Sequence, residues 1–277
     1  MMGKSVKVTA SGAEAPAGMI ASEDRGDASM ISRVASILAA FTPADDALGP
    51  SELGRRTGLA KSTASRIATG LAEQNLLERS GSGFRLGLRL FELGESAARP
   101  RDLRRVALAS MADLRNAVGL TVHLAVLEHF EVVYLEILVG RSTPRLPSRV
   151  GGRMPAYATG VGKALLAAAD PAVVDELVAR GLAAVGPNGI TTGARLRSEL
   201  TRVRQTGVAY EREESAAGVA CAASAVCGYA GVPVAAISAA GWSNDFDVKR
   251  VGLAVKTAAE SISRQIARRP GSSFMAP

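Results

Sequence analysis

Residues 51–89 read SELGRRTGLAKSTASRIATGLAEQNLLERSGSGFRLGLR, and this stretch decides the fold of the N-terminal part of the chain. Ser51 predicts the N-cap of a short helix over residues 52–57. Gly58 suits the left-handed turn that follows, and a second helix is predicted over residues 61–74. Because a helix-turn-helix places its second helix in the DNA major groove, the stretch predicts a DNA-binding motif.

The end of the stretch has the pattern of a β-hairpin. Two short segments, residues 76–79 and 84–86, flank Ser80-Gly81-Ser82-Gly83, which is a turn of hairpin length. We interpret this hairpin as the wing of a winged helix-turn-helix. Arg79 and Arg85 lie beside the turn, where they are predicted to contact phosphates.

The candidate DNA-contacting residues lie mainly at the start of the second helix and in the wing. Hydroxyl and cationic side chains at a helix start suit phosphate oxygens and base edges. Arg66 is expected to read a base or anchor a phosphate, because a guanidinium binds guanine through two hydrogen bonds. A capping role explains Ser62 and Thr63 equally well. The predicted set is Arg55, Lys61, Ser62, Thr63, Ser65, Arg66, Arg79 and Arg85.

Composition indicates a globular protein with a basic balance. Hydrophobic residues make up 47% and charged residues 21% of the 277 residues, and the formal net charge is +7. Within residues 51–90, seven arginines and lysines stand against three glutamates, a local excess of four positive charges. A basic surface favours polyanionic partners, although a solvated basic face explains the same excess.

Several classes of protein are excluded by what the sequence contains. Cys221 and Cys227 are too few for a disulfide framework, and two histidines leave no zinc-site spacing, so no metal or cofactor is expected. We find no signal-peptide pattern and no apolar run of membrane-spanning length. A cytoplasmic location without membrane contact is therefore expected.

The chain is expected to form two domains between two tails. Residues 1–27 and 269–277 lack periodicity, and we expect them to be disordered. A winged helix-turn-helix domain is predicted over 28–90, a linker helix over 91–104 and a second domain over 105–268. In that second domain, hairpin strands are interspersed with helices, which is typical of an α+β architecture.

A candidate ligand site lies in the segment Thr159-Gly160-Val161-Gly162-Lys163, which opens a helix after an extended segment. Two glycines allow a ligand to approach the backbone, and the N–H groups of a helix start attract an anion, so a small carboxylate fits. A plain tight turn before a helix is the simpler interpretation of the same residues. The segment is not a phosphate-binding P-loop, because Tyr157 and Ala164 stand where that motif needs Gly and Ser or Thr.

Three segments, in order and at consistent spacing, resemble the IclR family of bacterial transcriptional regulators. Gly58-Leu59-Ala60-Lys61-Ser62-Thr63…Arg66 is similar to the winged-helix signature of that family. Residues 153–164, RMPAYATGVGKA, resemble its LPLHATAxGKA segment. Residues 207–223, GVAYEREESAAGVACAA, resemble its GYAxDxEExxxGvxCvAAPV segment, and the resemblance as a whole spans about residues 28–268.

The resemblance implies an N-terminal winged helix-turn-helix and a C-terminal GAF-like α/β effector-binding domain, joined by a linker helix. It implies homodimers or homotetramers that bind palindromic operators in double-stranded DNA, with small organic acids as effectors. Among candidate site residues, Cys221 is expected to be a small buried side chain, and His123 a packed or half-exposed strand residue. The predicted effector-binding set is Ala156, Gly160, Val161, Gly162, Glu211, Cys221 and Ser238.

The sequence departs from the family pattern at a few positions. Gly160 stands where Ala is usual, Asn75 where Gly is usual, and Ser224-Ala225 where Ala-Pro is usual. Ser65 replaces a common His on the second helix, which leaves the operator sequence open. The changes at Gly160 and Ser224 alter the size and polarity of the expected pocket, so the identity of the effector is not carried over.

We therefore expect a ligand-responsive DNA-binding transcriptional regulator, without enzymatic activity, whose C-terminal domain binds a small organic acid and alters operator binding. An enzyme with a DNA-binding appendage is the main alternative, but the chain has no G-x-S-x-G elbow and only two histidines. A nucleoid-type structural DNA binder is the second alternative, and the large second domain argues against it. Repression and activation remain equally open.

Overall fold

The computed structural model of the protein describes residues 29–141 and 143–268. The tails predicted over 1–27 and 269–277 lie outside these residues. Two compact units are present, and the boundary between them falls between Arg101 and Asp102.

The N-terminal unit contains three helices and a two-stranded antiparallel hairpin. These are α1 (Met30–Ala39), α2 (Pro50–Thr57), α3 (Lys61–Glu73), β1 (Leu77–Ser80) and β2 (Gly83–Leu86). The apolar faces of the helices and the hairpin enclose one small core. Its buried members are Ile37, Leu48, Leu53, Ala64, Ile67, Ala68, Leu71, Leu77 and Phe84. The predicted winged helix-turn-helix is confirmed.

The turn between α2 and α3 forms as the sequence predicts, but the start of α2 does not. Gly58 has φ of 71°, the left-handed conformation that glycine adopts without steric cost. The predicted N-cap at Ser51 is wrong, because Gly49 precedes the helix and Pro50 is its first residue. Proline suits that position since its fixed φ matches the helix and its missing N–H would have had no partner there.

Two helices follow the wing, α4 (Leu88–Ser96) and α5 (Ala98–Val118), and the chain is extended at Ala97 between them. The linker predicted over 91–104 spans the end of α4 and the start of α5. Pro100 lies in the first turn of α5, where proline is tolerated, whereas inside a continuous helix its ring would clash with the preceding turn.

The C-terminal unit is built on one six-stranded antiparallel sheet. In sheet order the strands are β5, β4, β3, β8, β7 and β6. Their bounds are Thr121–Glu128 for β3, Glu131–Leu138 for β4, Arg153–Pro155 for β5, Ala209–Arg212 for β6, Val219–Cys227 for β7 and Pro233–Trp242 for β8. The three-residue β5 was not predicted, since it is too short to show a period of two.

Helices cover both faces of this sheet, so the unit has the predicted α+β architecture. On one face, α5 and α9 (Val248–Ala267) bury a core against the strands. On the other face lie α6 (Gly160–Ala168), α7 (Pro171–Ala179) and α8 (Gly193–Thr206). Because successive strand residues point to opposite faces, each central strand contributes to both cores.

Candidate functional site

The residues predicted to contact DNA from α3 lie in its first two turns, on the side away from the core. Lys61, Ser62 and Arg66 are exposed, and Thr63 and Ser65 are half-buried. The capping interpretation of the hydroxyls is wrong, because Ala60 is the N-cap and no side chain caps the helix. In the part of the chain that the structure describes, neither Lys61 nor Arg66 makes a hydrogen bond or ion pair, so both cations are available to a ligand.

The other predicted basic residues have partners within the unit. Arg55 donates hydrogen bonds of 2.8 and 2.6 Å to Glu52, and two arginines hold the pKa of that carboxyl at about 2. Arg85 donates bonds of 2.9 and 2.8 Å to Glu78 in the wing. The Arg79 guanidinium lies 5.2 Å from the centre of the Phe84 ring. Phosphates would have to displace the two exposed ion pairs, which are individually weak.

A pocket in the C-terminal unit brings together five of the seven predicted effector-binding residues. Its empty volume, including open solvent at the mouth, is about 340 Å³. The five are Gly160, Val161, Glu211, Cys221 and Ser238. The remaining lining residues are His123, Tyr134, Leu146, Pro147, Ser148, Met154, Thr159, Ser215, Val219 and Ala240.

The structure places Ala156 and Gly162 outside the pocket lining. A Cβ atom on Gly162 would lie 2.1 Å from the Ala156 carbonyl oxygen, so the glycine permits close contact between α6 and the preceding 3₁₀ turn (Ala156–Ala158). Gly162 therefore allows close helix packing. The sequence predicted that a ligand approaches its backbone, and the geometry does not provide that access.

The start of α6 forms one wall of the pocket. The Thr159 hydroxyl caps the helix by accepting a hydrogen bond of 3.1 Å from the Gly162 N–H. The backbone N–H groups of Gly160 and Val161 have no hydrogen bond to any described residue. These two residues line the pocket, so the positive end of the helix dipole and two free donors lie at the cavity.

Residues from four adjacent strands form the floor. His123 pairs in register with Ser238, Cys221 with Ala240, and Glu211 with Cys221. His123 on β3 and Glu211 on β6 therefore lie on the two outer strands of these four, with β8 and β7 between them.

Glu211 at one end is held by donors from the following turn. Its Oε1 accepts hydrogen bonds from the Glu214 N–H at 2.9 Å and from the Ser215 N–H and hydroxyl at 3.0 Å. Burial raises the pKa of Glu211, and the bonds from Ser215 oppose that shift. Burial together with nearby Glu211 also raises the pKa of the Cys221 thiol to about 12, so the thiol stays protonated at neutral pH, as its predicted buried character implies.

Lys163 lies outside the pocket lining and is paired with an acidic residue. Its side chain is fully buried and donates hydrogen bonds of 2.7 Å to both carboxylate oxygens of Glu214. Glu199 lies further away, with its Oε2 at 3.8 Å from the Lys163 Nζ. Among the described lining residues there is consequently no lysine or arginine, and an anionic ligand would depend on the helix start.

His123 was expected to be a packed residue, and the structure places it in the pocket lining. Its Nε2 lies 2.9 Å from the Ser148 hydroxyl and its Nδ1 lies 3.4 Å from the Ser238 hydroxyl. Burial lowers the pKa of His123 to about 4, so the ring is neutral at pH 7. A polar residue within an apolar strand was the only sign of His123 in the sequence. Its proximity to Ser238 depends on the strand register, which the sequence does not show. Tyr134, Ser148, Met154, Thr159 and Ser215 were also not predicted.

Metal-ligand clusters and membrane-spanning helices are two further features considered for the described residues. No group of three or more His, Cys, Asp or Glu side chains is arranged to hold a metal ion within residues 29–141 and 143–268. No helix in these segments is both long and apolar enough to cross a lipid bilayer.

Comparison with known families identifies both units. Residues 95–264 match the family model described as "Bacterial transcriptional regulator IclR C-terminal", and residues 30–81 match the "IclR helix-turn-helix domain". The HTH-type transcriptional regulator Rv1719 of Mycobacterium tuberculosis is 32% identical over 77% of this chain and 82% of its own length. The transcriptional repressor IclR of Escherichia coli is 27% identical over 78% of this chain and 81% of its own length.

Two solved structures of IclR proteins are also similar to this chain. An IclR homolog from Microbacterium hydrocarbonoxydans, complexed with 4-hydroxybenzoate, is 33% identical, with a TM-score of 0.80 over 86% of this chain and 99% of that one. The IclR protein of Thermotoga maritima is 27% identical, with a TM-score of 0.70 over 85% of this chain and 98% of that one.

Proposed function

This chain belongs to the IclR family of bacterial transcriptional regulators, which are not enzymes, and we propose that its pocket binds a small organic acid that changes operator binding. The family gives the general activity: a helix-turn-helix that binds DNA and a C-terminal domain that binds an effector. The observation that supports an acid is the start of α6, where the N–H groups of Gly160 and Val161 have no partner in the described chain.

A small carboxylate fits the pocket in charge and size. Two free N–H groups at a helix start stabilise an anion, and no lysine or arginine of the described lining competes for it. The empty volume of about 340 Å³ includes open solvent and therefore limits the ligand from above, which favours a small molecule. The 4-hydroxybenzoate in the related structure belongs to the same chemical class.

Glu211 is compatible with an acidic ligand if it is protonated. Two carboxylates in one site repel unless one of them carries a proton. Burial raises the pKa of Glu211, which favours its neutral form, and the protonated group can donate a hydrogen bond. An anionic ligand beside Glu211 would raise its pKa further.

We also propose that two copies of the chain bind a palindromic operator. Helix α4 buries none of its residues, and it exposes 64% of Leu88, 65% of Phe91 and 54% of Leu93. Leu88 and Phe91, three residues apart, lie on one side of the helix, and an exposed apolar surface of this kind suits an isologous contact with a second copy. Twofold symmetry would then present two α3 helices to two half-sites of one DNA.

The DNA-binding half of the proposal depends on α3, and Arg66→Ala tests it. The variant is expected to lose about 1–3 kcal/mol of binding to DNA from upstream of its own gene, because Arg66 is exposed and has no partner in the described chain. Fluorescence anisotropy at fixed salt, with unlabelled random DNA as competitor, measures the loss.

Arg197→Gln is the matched control for that experiment. It removes the same charge from an exposed ion pair with Asp175 in the C-terminal unit, and it should leave DNA affinity within about twofold of wild type. Equal affinities of Arg66→Ala and wild type would show that α3 is not the recognition helix.

A further inference from the structure

The Tyr134 hydroxyl has an unusually weak partner for a buried phenol. The side chain lines the pocket, and the residue is only 5% exposed. Within the described residues, its one hydrogen bond is to the Met154 Sδ at 3.5 Å. A thioether sulfur is a weak acceptor, whereas buried Tyr hydroxyls usually have a stronger one. The donor is therefore available to an acceptor that enters the pocket.

The groups beside Tyr134 are polar but uncharged, although the Glu211 carboxylate also acts on the phenol and, after burial and Cys221, helps to raise its pKa. The His123 ring lies 5.3 Å from the Tyr134 ring between centroids, and it joins the hydroxyls of Ser148 and Ser238. Because burial lowers the pKa of His123 to about 4, its imidazole offers one donor and one acceptor at neutral pH. This end of the pocket can give and accept hydrogen bonds but cannot balance a charge.

The two ends of the pocket are separated by a molecule-sized distance. A Cβ on Gly160 at the helix start would lie 2.9 Å from the Cys221 Sγ, so α6 begins over β7. His123 lies on β3, and β8 is between the two strands. Two strand spacings amount to roughly 10 Å. A small acid bound at the helix start thus has its other end near Tyr134 and His123.

We propose that Tyr134, together with His123, selects effectors that carry an uncharged oxygen, a hydroxyl or carbonyl, at the end away from their carboxylate. Such an oxygen accepts from the Tyr134 hydroxyl, and a hydroxyl also donates to the His123–Ser148 pair. Because no cation lies there, a second carboxylate would be poorly solvated, so dicarboxylates are disfavoured. This inference rests on the proposed function, since it assumes that a carboxylate occupies the start of α6.

Matched ligand pairs test the proposal by isothermal titration calorimetry. The probes are benzoate with 4-hydroxybenzoate, propionate with 3-hydroxypropionate, and terephthalate as a dicarboxylate. In at least one pair the hydroxylated acid is expected to bind wild type tenfold or more tightly than its parent, and terephthalate more weakly than 4-hydroxybenzoate. In Tyr134→Phe that advantage should fall to twofold or less, while the parent acid keeps its affinity.

Tyr157→Phe is the matched control, since it removes a phenol hydroxyl that lies outside the described pocket lining and donates to the Ala183 carbonyl oxygen at 2.8 Å. It should retain the hydroxyl advantage. Operator binding equal to that of wild type shows that each variant is folded. The comparison of the ligand pairs on the wild-type protein does not depend on any variant.

Three outcomes overturn the proposal, and the third of them also overturns the proposed acid effector. If wild type binds both members of every pair with equal affinity, Tyr134 does not select the effector. The same holds if Tyr134→Phe keeps the tighter binding of the hydroxylated acid. Neither result argues against an acid effector. If none of the acids binds wild type, the proposed acid effector fails, and the inference fails with it.

Discussion

Lys163→Met is expected to destabilise the C-terminal unit by about 3–5 kcal/mol, the usual cost of removing one partner from a buried ion pair. Lys163 is fully buried and holds both carboxylate oxygens of Glu214 at 2.7 Å. Burial already raises the pKa of Glu214, and Lys163 opposes that shift. Without the lysine, Glu214 must remain as an unpaired buried carboxylate or take up a proton.

The double variant Lys163→Met, Glu214→Met separates the charge effect from packing. Replacing both members of a buried pair with apolar side chains is often neutral, so much of the lost stability should return. The exposed pair of Arg180 and Glu176 provides a surface control, and Arg180→Met should cost less than about 1 kcal/mol. Urea unfolding, followed by the fluorescence of Trp242, the one tryptophan of the sequence, measures all three. A Lys163→Met variant as stable as wild type would contradict the expected cost of burying Glu214 alone.

Gly162→Ala is expected to cost about 3 kcal/mol or more, at the upper end of the range for overpacking. The new Cβ would lie 2.1 Å from the Ala156 carbonyl oxygen and 2.5 Å from the Ala156 Cα. Backbone atoms cannot move aside as a flexible side chain can, so α6 would have to shift. The intrinsic preference of alanine over glycine in a helix, about 1 kcal/mol, is too small to compensate.

Gly160→Ala in the same helix is the comparison for that experiment. Its Cβ would lie 2.9 Å from the Cys221 Sγ and 3.3 Å from the Ala223 Cβ, which are side-chain atoms. The loss should therefore be clearly smaller than that of Gly162→Ala under the same urea titration. The reverse order of stabilities would show that α6 does not pack on the Ala156–Ala158 turn as described.

Elements with a long apolar period could be predicted from the sequence, and short or exceptional ones could not. The stripe along α9 repeats often enough to identify that helix, and the β-rich runs of β3 and β4 identify the two strands. By contrast, β5 has only three residues, which are too few to show a period. The start of α2 was missed because Pro50 is its first residue, whereas Ser51 was expected to cap it.

Most of the pocket residues that the sequence predicted lie in continuous segments, and Ser238 was predicted from the family resemblance alone. Gly160 and Val161 open a helix, which the spacing of glycines indicates, and Glu211 and Cys221 lie in a segment that resembles the family. Tyr134 and His123 are brought to the cavity by strand register and by the bulge at Leu135 in β4, which sequence periodicity does not determine. Gly162 was misassigned because a glycine for close packing and a glycine for ligand access look the same in sequence.

The central claim, a DNA-binding regulator controlled by a small acid, is tested most directly by anisotropy on labelled DNA from upstream of the gene. Random DNA is the competitor at fixed salt, and small organic acids are added one by one, each beside its uncharged amide. We expect competitor-resistant binding that one acid changes fivefold or more and that its amide leaves unchanged. Binding that random DNA abolishes, with no response to any acid, would contradict it.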